Sequence, residues 1–147
     1  MEIRISVRNL VEFLLRSGDI DNRRTAGAEN AMSEGSRIHR MIQRRMGADY
    51  QAEVPLSYVH ETKAYQIRVE GRADGIIDGE DTFIIDEIKG TYRELFRMKG
   101  PVPVHLAQAK CYGYMYGIMH PTQTVHIRMT YCNLDTEELK YFDSEYP

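Results

Sequence analysis

Three charged side chains, Asp74, Glu87 and Lys89, stand at the ends of two adjacent apolar runs in the middle of the chain. Each run has the composition of a strand, and the polar turn at 78–81 is short enough to make the two strands antiparallel neighbours. Because side chains two residues apart in a strand share a face, Glu87 and Lys89 should point to the same side. Two carboxylates and an ammonium at one sheet edge can bind a divalent cation and neutralise a phosphodiester, so the pattern favours a metal-dependent hydrolase.

Two helices are predicted before these strands. Ser6 is a good N-cap for a helix ending near Gly18, with an apolar core face formed by Val7, Leu10, Val11, Leu14 and Leu15. A polar loop over 19–28 leads to a second helix, from about Glu29 to Met46. His39 lies on or beside its buried face, and a basic stripe runs alongside, formed by Arg37, Arg40 and Arg44. From the residues alone, a structural histidine and a solvated arginine face are the more ordinary interpretations.

From Tyr50 onward the apolar residues have the spacing of strands, and one strand is predicted over Thr82–Lys89. The loop from Gly90 to Val104 mixes aromatic and basic side chains, which suits base stacking and phosphate contacts, although an ordinary mobile loop is an equal alternative. A third helix, about His105 to Met119, carries Gln108 and Tyr112 on one face. Two final strands are predicted, Thr124–Tyr131 and Glu137–Phe142. The fold class is therefore α/β, or α+β.

Length and composition favour one globular domain over residues 1–147, which could be an excised part of a longer protein. No apolar run approaches the roughly 18 residues of a membrane span, and no secretory signal is present, so we expect a cytoplasmic protein without a membrane partner. The cysteines, Cys111 and Cys132, are expected to be reduced. The net charge of −3 argues only weakly against nucleic-acid binding, because bound cations would offset the carboxylates of a metal site.

Four short motifs occur in order along these elements: GSRIHRMI, GRADG, IIDEIKG and QAKCY. Together they resemble the PD-(D/E)XK nuclease superfamily, in particular its RecB-like and CRISPR-associated exonuclease branch, over nearly the whole chain. The resemblance implies a restriction-endonuclease-like core, in which a central mixed sheet is flanked by helices. It also implies a DNA exonuclease that uses one or two Mg²⁺ or Mn²⁺ ions. The chain looks like modules fused to helicases of the Rad3 and DinG type, so a helicase domain or subunit is a candidate partner besides DNA.

The resemblance also implies roles for individual residues. The metal would be bound by His39, Asp74, Glu87 and the main-chain carbonyl of Ile88, and Lys89 would orient or activate the attacking water. The residues that would position or hold the DNA strand are Gln108, Tyr112, Arg37, Arg40, Arg44, Tyr92, Arg93 and Arg97. Members of this branch with an iron–sulfur cluster carry four cysteines, so no cluster is implied for this chain.

Asp86 is an acid beside Glu87 that the motif does not use. It should point to the opposite face of the strand, with Ile84 and Ile88, where a carboxylate needs a polar partner that the sequence does not identify. Two other functional classes stay open: a catalytically inactive nucleic-acid-binding module, and a structural domain whose acids form surface ion pairs. Exonuclease or endonuclease action, strand preference and oligomeric state are also open.

Overall fold

A computed structural model describes residues 1–15 and 28–146, with the side chains of 28–33 excepted. These residues form an α+β fold in which one six-stranded mixed sheet is flanked by three helices, and this confirms the predicted class. No helix in the described part of the chain is long and apolar enough to cross a membrane. In chain order the elements are β1 Glu2–Ser6, α1 Val7–Leu14, α2 Ala28–Arg45, β2 Tyr50–Glu61, β3 Gln66–Asp78, β4 Thr82–Thr91, α3 Pro103–Met119, β5 Thr124–Asn133 and β6 Leu139–Glu145.

The two edges of β3 are used differently. One edge pairs with β2 in antiparallel register from Gln66 to Ile77. The other edge pairs first with β1, in parallel over Gln66–Glu70, and then with β4, in antiparallel over Gly75–Asp78. Residues 71–74 of β3 therefore face an opening in the sheet, which we call the β3–β4 opening.

Strand β4 forms the other side of this opening. It pairs with β5 in parallel along its whole length, but with β3 only from Phe83 to Asp86. From Glu87 onward its edge towards β3 is free of a strand partner, so main-chain and side-chain polar groups there must find partners within the opening. The sheet is completed by β6, which pairs with β5 in antiparallel register.

The sheet has an apolar core on each face. On one face, α1 and α3 cover a cluster that includes Phe83, Ile85 and Ile127. On the other face, α2 packs Ile38 and Ile42 against Ile88 of β4. Burial of this second cluster fixes the position of α2 next to the opening, because each buried isoleucine contributes roughly 1.5–3 kcal/mol of transfer free energy.

The first helix agrees with the prediction at its beginning and departs from it at its end. Ser6 caps α1, accepting a hydrogen bond from the Asn9 amide at 3.0 Å, and Val7 and Val11 are buried. Leu14 and Leu15 were assigned to the core and are exposed instead. Helical spacing identifies which residues share a face, but it does not show how far the neighbouring elements extend beneath them. The predicted end near Gly18 and the loop up to residue 27 lie outside the described residues.

Other elements also differ from the predictions, in their presence or in where they begin. Strand β1 was not predicted, since five residues with charges at alternate positions give a weak signal. Helix α3 begins at Pro103 rather than His105, with proline in the first turn, where its missing N–H is tolerated. Gly113 lets α3 lie close to β5, because a Cβ there would be 3.1 Å from a methyl group of Val125. The two cysteines, on α3 and β5, are free.

Candidate functional site

Asp74 and Glu87 face each other across the β3–β4 opening, and the carboxylate of each accepts a main-chain amide of the other's strand. The Asp74 amide donates to Oε1 of Glu87 at 3.3 Å, and the Ile88 amide donates to Oδ2 of Asp74 at 2.7 Å. Each carboxylate thereby replaces the strand partner that the opposing main chain lacks. The second oxygen of each carboxylate remains for other partners.

His39 approaches Asp74 from α2. Its Nδ1 lies 3.4 Å from Oδ1 of Asp74, and the two side chains are 26% and 13% exposed. The packing of Ile38 and Ile42 on β4 orients α2 so that His39 reaches the opening. The structure thus places His39 beside Asp74, which in turn contacts Glu87 across the opening.

Glu53 belongs to the same group and was not predicted. In β2, Ala52 pairs with Gly75 and Val54 with Ala73, so Glu53 lies directly opposite Asp74. Ligand atoms of His39, Glu53 and Asp74 all lie within 4.8 Å of one another, and the group could hold a metal ion. The register would have revealed this position, since β2 and β3 are joined by a short turn and Glu53 and Asp74 are equally far from it.

Glu53 has an unusual backbone conformation and defined contacts. Its φ of 56° lies in the left-handed region, which glutamate rarely adopts. Gln43, one turn after His39 on α2, donates its amide hydrogens to Oε1 of Glu53 at 3.0 Å and to the Asp74 carbonyl at 2.9 Å. Nη1 of Arg72 is 3.8 Å from Oε2 of Glu53. The left-handed backbone is thus part of a conformation that turns this carboxylate towards Asp74.

Burial makes the acid pair unfavourable without a cation. Desolvation raises the pKa of Asp74, although His39, the Ile88 amide and Lys89 act in the opposite direction. Desolvation and the nearby charge of Asp74 raise the pKa of Glu87 well above its usual value. A half-buried and a buried carboxylate that share one opening are stabilised by a proton or by a metal ion.

Lys89 is held beside the acids by a residue of α3. Its Nζ donates to Oε1 of Gln108 at 3.1 Å and lies 3.9 Å from Oε2 of Glu87. Gln108 itself is buried, so in this structure its carboxamide orients Lys89 rather than facing a groove. Glu87 and Lys89 therefore share a face of β4, as their spacing predicted.

Tyr112 covers the far end of the opening. Its ring lies on Gly71, where an added Cβ would come within 2.6 Å of the ring, so a larger residue would displace the tyrosine. Burial, and after it the charge of Glu87, raises the pKa of Tyr112, which keeps the hydroxyl protonated. A groove of about 650 Å³ begins here along β2 and β3, lined by Pro55, Leu56, Ser57, Glu70, Gly71 and Arg72.

The structure supplies the partners of Asp86. The carboxylate is 2% exposed and accepts hydrogen bonds from the Tyr50 hydroxyl at 2.8 Å and the Thr130 hydroxyl at 2.5 Å. Burial raises its pKa, and the two hydroxyls partly offset this effect. Asp86 thus lies outside the group of acids in the opening and connects β4 to β2 and β5.

The three arginines of the predicted basic stripe differ in their ion pairs. Arg37 forms ion pairs with Glu34 and Glu137, both at 3.0 Å. Arg40 and Arg44 are exposed and have no ion pair with any described residue. With Met41 and Arg45 they border a groove of about 500 Å³. Of the three predicted arginines, Arg37 is therefore the one that is paired with acids in the described part of the chain.

The loop after β4 is anchored, while its aromatic residues are exposed. Leu95 and Met98 are buried, and Nζ of Lys140 donates to their carbonyls at 3.0 and 2.6 Å. Tyr92 and Phe96 are 53% and 75% exposed. Of the basic side chains of this loop, Arg93 and Lys99 are exposed, and Arg97 pairs with Glu94 at 2.7 Å and lies over the Phe96 ring. These contacts are those of a fixed turn that presents aromatic rings to solvent.

Comparison with known proteins gives a fold and no activity. No protein-family model matches the chain, and no curated protein sequence matches it. One solved structure, described as the crystal structure of SSO0001, is similar with a TM-score of 0.66 and 18% sequence identity, over 100% of this chain and 69% of that chain. Likeness at this identity shows a shared fold alone, so the function must be argued from the side chains in the opening.

Proposed function

We propose that the chain is a metal-dependent deoxyribonuclease that hydrolyses DNA phosphodiester bonds, and that it acts as an exonuclease. One observation carries the proposal: three carboxylates, an imidazole and an ammonium lie around the β3–β4 opening, where Glu87 is buried and Asp74 is half-buried. The resemblance of the four motifs to the PD-(D/E)XK nucleases supports the same conclusion and favours DNA ends as the substrate.

The donor set fits Mg²⁺ or Mn²⁺. Hard cations prefer carboxylate and carbonyl oxygens, and a neutral imidazole is compatible with Mn²⁺. Oδ1 of Asp74 and Oε2 of Glu87 are not occupied by main-chain amides, and Glu53 lies opposite Asp74. The Ile88 carbonyl should face the same opening as the Ile88 amide, because both groups of a strand residue point to the same side. These residues would hold one ion, or two when substrate is present.

A bound divalent ion would lower the pKa of a water molecule and stabilise negative charge on the phosphate oxygens. Lys89, held by Gln108, would orient that water or donate to a phosphate oxygen in the transition state. Tyr112, with its hydroxyl protonated, would donate to the strand at the far end of the opening. Arg40 and Arg44 would bind phosphates without reading sequence.

Cleavage of labelled DNA tests the proposal. End-labelled single strands, duplexes and a closed circle would be incubated with Mn²⁺, Mg²⁺ or EDTA, with wild type, Lys89→Ala and the control Lys63→Ala, which alters an exposed turn. We expect metal-dependent loss of linear DNA by wild type and Lys63→Ala, and none by Lys89→Ala. Nicking of the circle would show an endonuclease. DNA binding without cleavage under any metal would favour an inactive binding module and contradict the proposal.

A further inference from the structure

His105 lies next to the proposed active centre but has no role in the mechanism above. It is on α3 one turn before Gln108, so the two side chains share a helix face. Its Nδ1 is 2.9 Å from the hydroxyl of Tyr131, and Tyr131 is the register partner of Lys89 in the sheet. The imidazole therefore lies on the side of Lys89 away from Asp74.

The hydrogen bonds of Tyr131 determine which ring nitrogen carries the proton. Tyr131 is 1% exposed, and its hydroxyl oxygen accepts from the Val102 amide at 2.9 Å. In the described structure the hydroxyl hydrogen has one acceptor, Nδ1 of His105. If Nδ1 carried the proton instead, the tyrosine hydrogen would be buried without a partner, which is unfavourable. His105 therefore keeps its proton on Nε2, with no hydrogen-bond partner there among the described residues.

The surroundings of the imidazole are positive. Burial lowers the pKa of His105 to about 4, and the charges of Lys89 and Arg8 add to this effect. The ring is therefore neutral at physiological pH, and it lies within the electrostatic influence of two cations. Arg8 is exposed, and its one ion pair in the described structure is with Glu12 on its own helix, at 3.2 Å.

We propose that His105 forms a second phosphate subsite with Lys89 and Arg8, in which the neutral Nε2–H donates to a phosphate oxygen of the bound strand. This inference rests on the proposed function and names a contact beyond the metal-binding group. A neutral donor within the electrostatic influence of two cations can bind a phosphate without the desolvation cost of a third charge. The phosphate could be an internal phosphodiester or the terminal phosphate of the strand.

Two substitutions separate this role from a structural one. In His105→Asn, the carboxamide oxygen can still accept from Tyr131 but no donor reaches the position of Nε2. In His105→Gln, the longer side chain places an N–H near the position of Nε2 and loses the contact with Tyr131. If His105 has only a structural role, His105→Gln should be less stable and bind DNA more weakly than His105→Asn. If His105 contacts a phosphate, His105→Gln should bind DNA more tightly than His105→Asn.

The test measures binding of a single-stranded oligonucleotide in Ca²⁺ at several salt concentrations, together with thermal unfolding. We expect His105→Asn to unfold like wild type and to bind about tenfold more weakly, with His105→Gln restoring most of the affinity. Because the donor is neutral, the salt dependence should keep its slope in His105→Asn. Arg40→Gln should instead lower that slope by about one.

Oligonucleotides with and without a terminal phosphate identify the group that is bound. If only the phosphorylated strand loses affinity in His105→Asn, the subsite binds the terminal phosphate, and equal losses indicate an internal phosphodiester. Wild-type affinity in His105→Asn, or a weaker His105→Gln than His105→Asn, would overturn this inference and leave the proposed function intact. Absence of DNA binding by wild type would overturn both.

Discussion

Asp74 and Glu87 each accept the main-chain amide that the other's strand leaves unpaired, across the point where β4 separates from β3. This arrangement orients both carboxylates without any metal. One oxygen of each acid is used by the main chain, and the other stays near His39 or Lys89. The separation of β3 from β4 thus orients both acids before any cation binds. Their burial leaves a net negative charge that a cation bound there would neutralise.

The first prediction concerns the stability of the metal-free protein. In Asp74→Asn, the carboxamide oxygen can still accept from the Ile88 amide, while the buried negative charge is removed. We expect the metal-free variant to be at least as stable as wild type and to gain less stability from Mn²⁺ than wild type gains. Wild type should gain about 2.7 kcal/mol when Mn²⁺ is at 100 times its dissociation constant. Thermal unfolding with and without Mn²⁺ measures both effects, and equal Mn²⁺ stabilisation in the two proteins would refute the ligand assignment.

The second prediction concerns pH. Desolvation raises the pKa values of Asp74 and Glu87 above the ordinary 3.8 and 4.5, so protons compete with the metal at higher pH than they would at exposed carboxyls. The stability of the metal-free protein changes in the opposite direction: burial of the charges costs stability at neutral pH, and the cost is relieved as pH falls through the raised pKa values. As pH falls, Mn²⁺ affinity should therefore begin to decrease at a higher pH than it would for a site of exposed carboxyls. A pH dependence no different from that of exposed carboxyls would show that the carboxyls are not perturbed.

The third prediction separates two roles of Gln108. Gln108→Met keeps the volume of the side chain but removes the acceptor of the Lys89 ammonium. If Gln108 positions Lys89, kcat should fall by roughly 10- to 100-fold with little change in DNA affinity. If Gln108 contacts the strand, as the sequence resemblance implied, the affinity for DNA should fall instead. Gln66→Met, which removes a surface contact with Glu61, serves as the control.

The fourth prediction concerns Glu53, whose φ of 56° favours glycine. Glu53→Gly should relieve about 1 kcal/mol of backbone strain and raise the stability of the metal-free protein, while Mn²⁺ binds more weakly. Glu53→Gln should lose metal affinity without this gain in stability. The matched control is Glu61→Gln, at the exposed end of the same strand. Unchanged Mn²⁺ affinity in both Glu53 variants would remove Glu53 from the metal-binding group.

The comparison of sequence with structure shows which features are local. Glu87 and Lys89 could be placed on one face because strand alternation is a property of neighbouring residues. His39 could be placed on or beside the buried face of its helix because helical spacing is also a property of neighbouring residues. Glu53 required the register between two strands and an unusual φ, and Asp86 required partners from two other strands. Such contacts depend on tertiary pairing, which hydrophobic periodicity does not specify.

The central claim is that a divalent ion binds between the acids of the opening. Calorimetric titration of metal-free wild type and Asp74→Asn with Mn²⁺, each with and without a non-cleavable oligonucleotide, tests it most directly. We predict saturable binding of one Mn²⁺ by wild type, tighter or with a second ion when DNA is present, and at least a tenfold weaker affinity in Asp74→Asn. Equal affinities in the two proteins, or no binding by wild type even with DNA, would contradict the assignment of a metal-dependent nuclease.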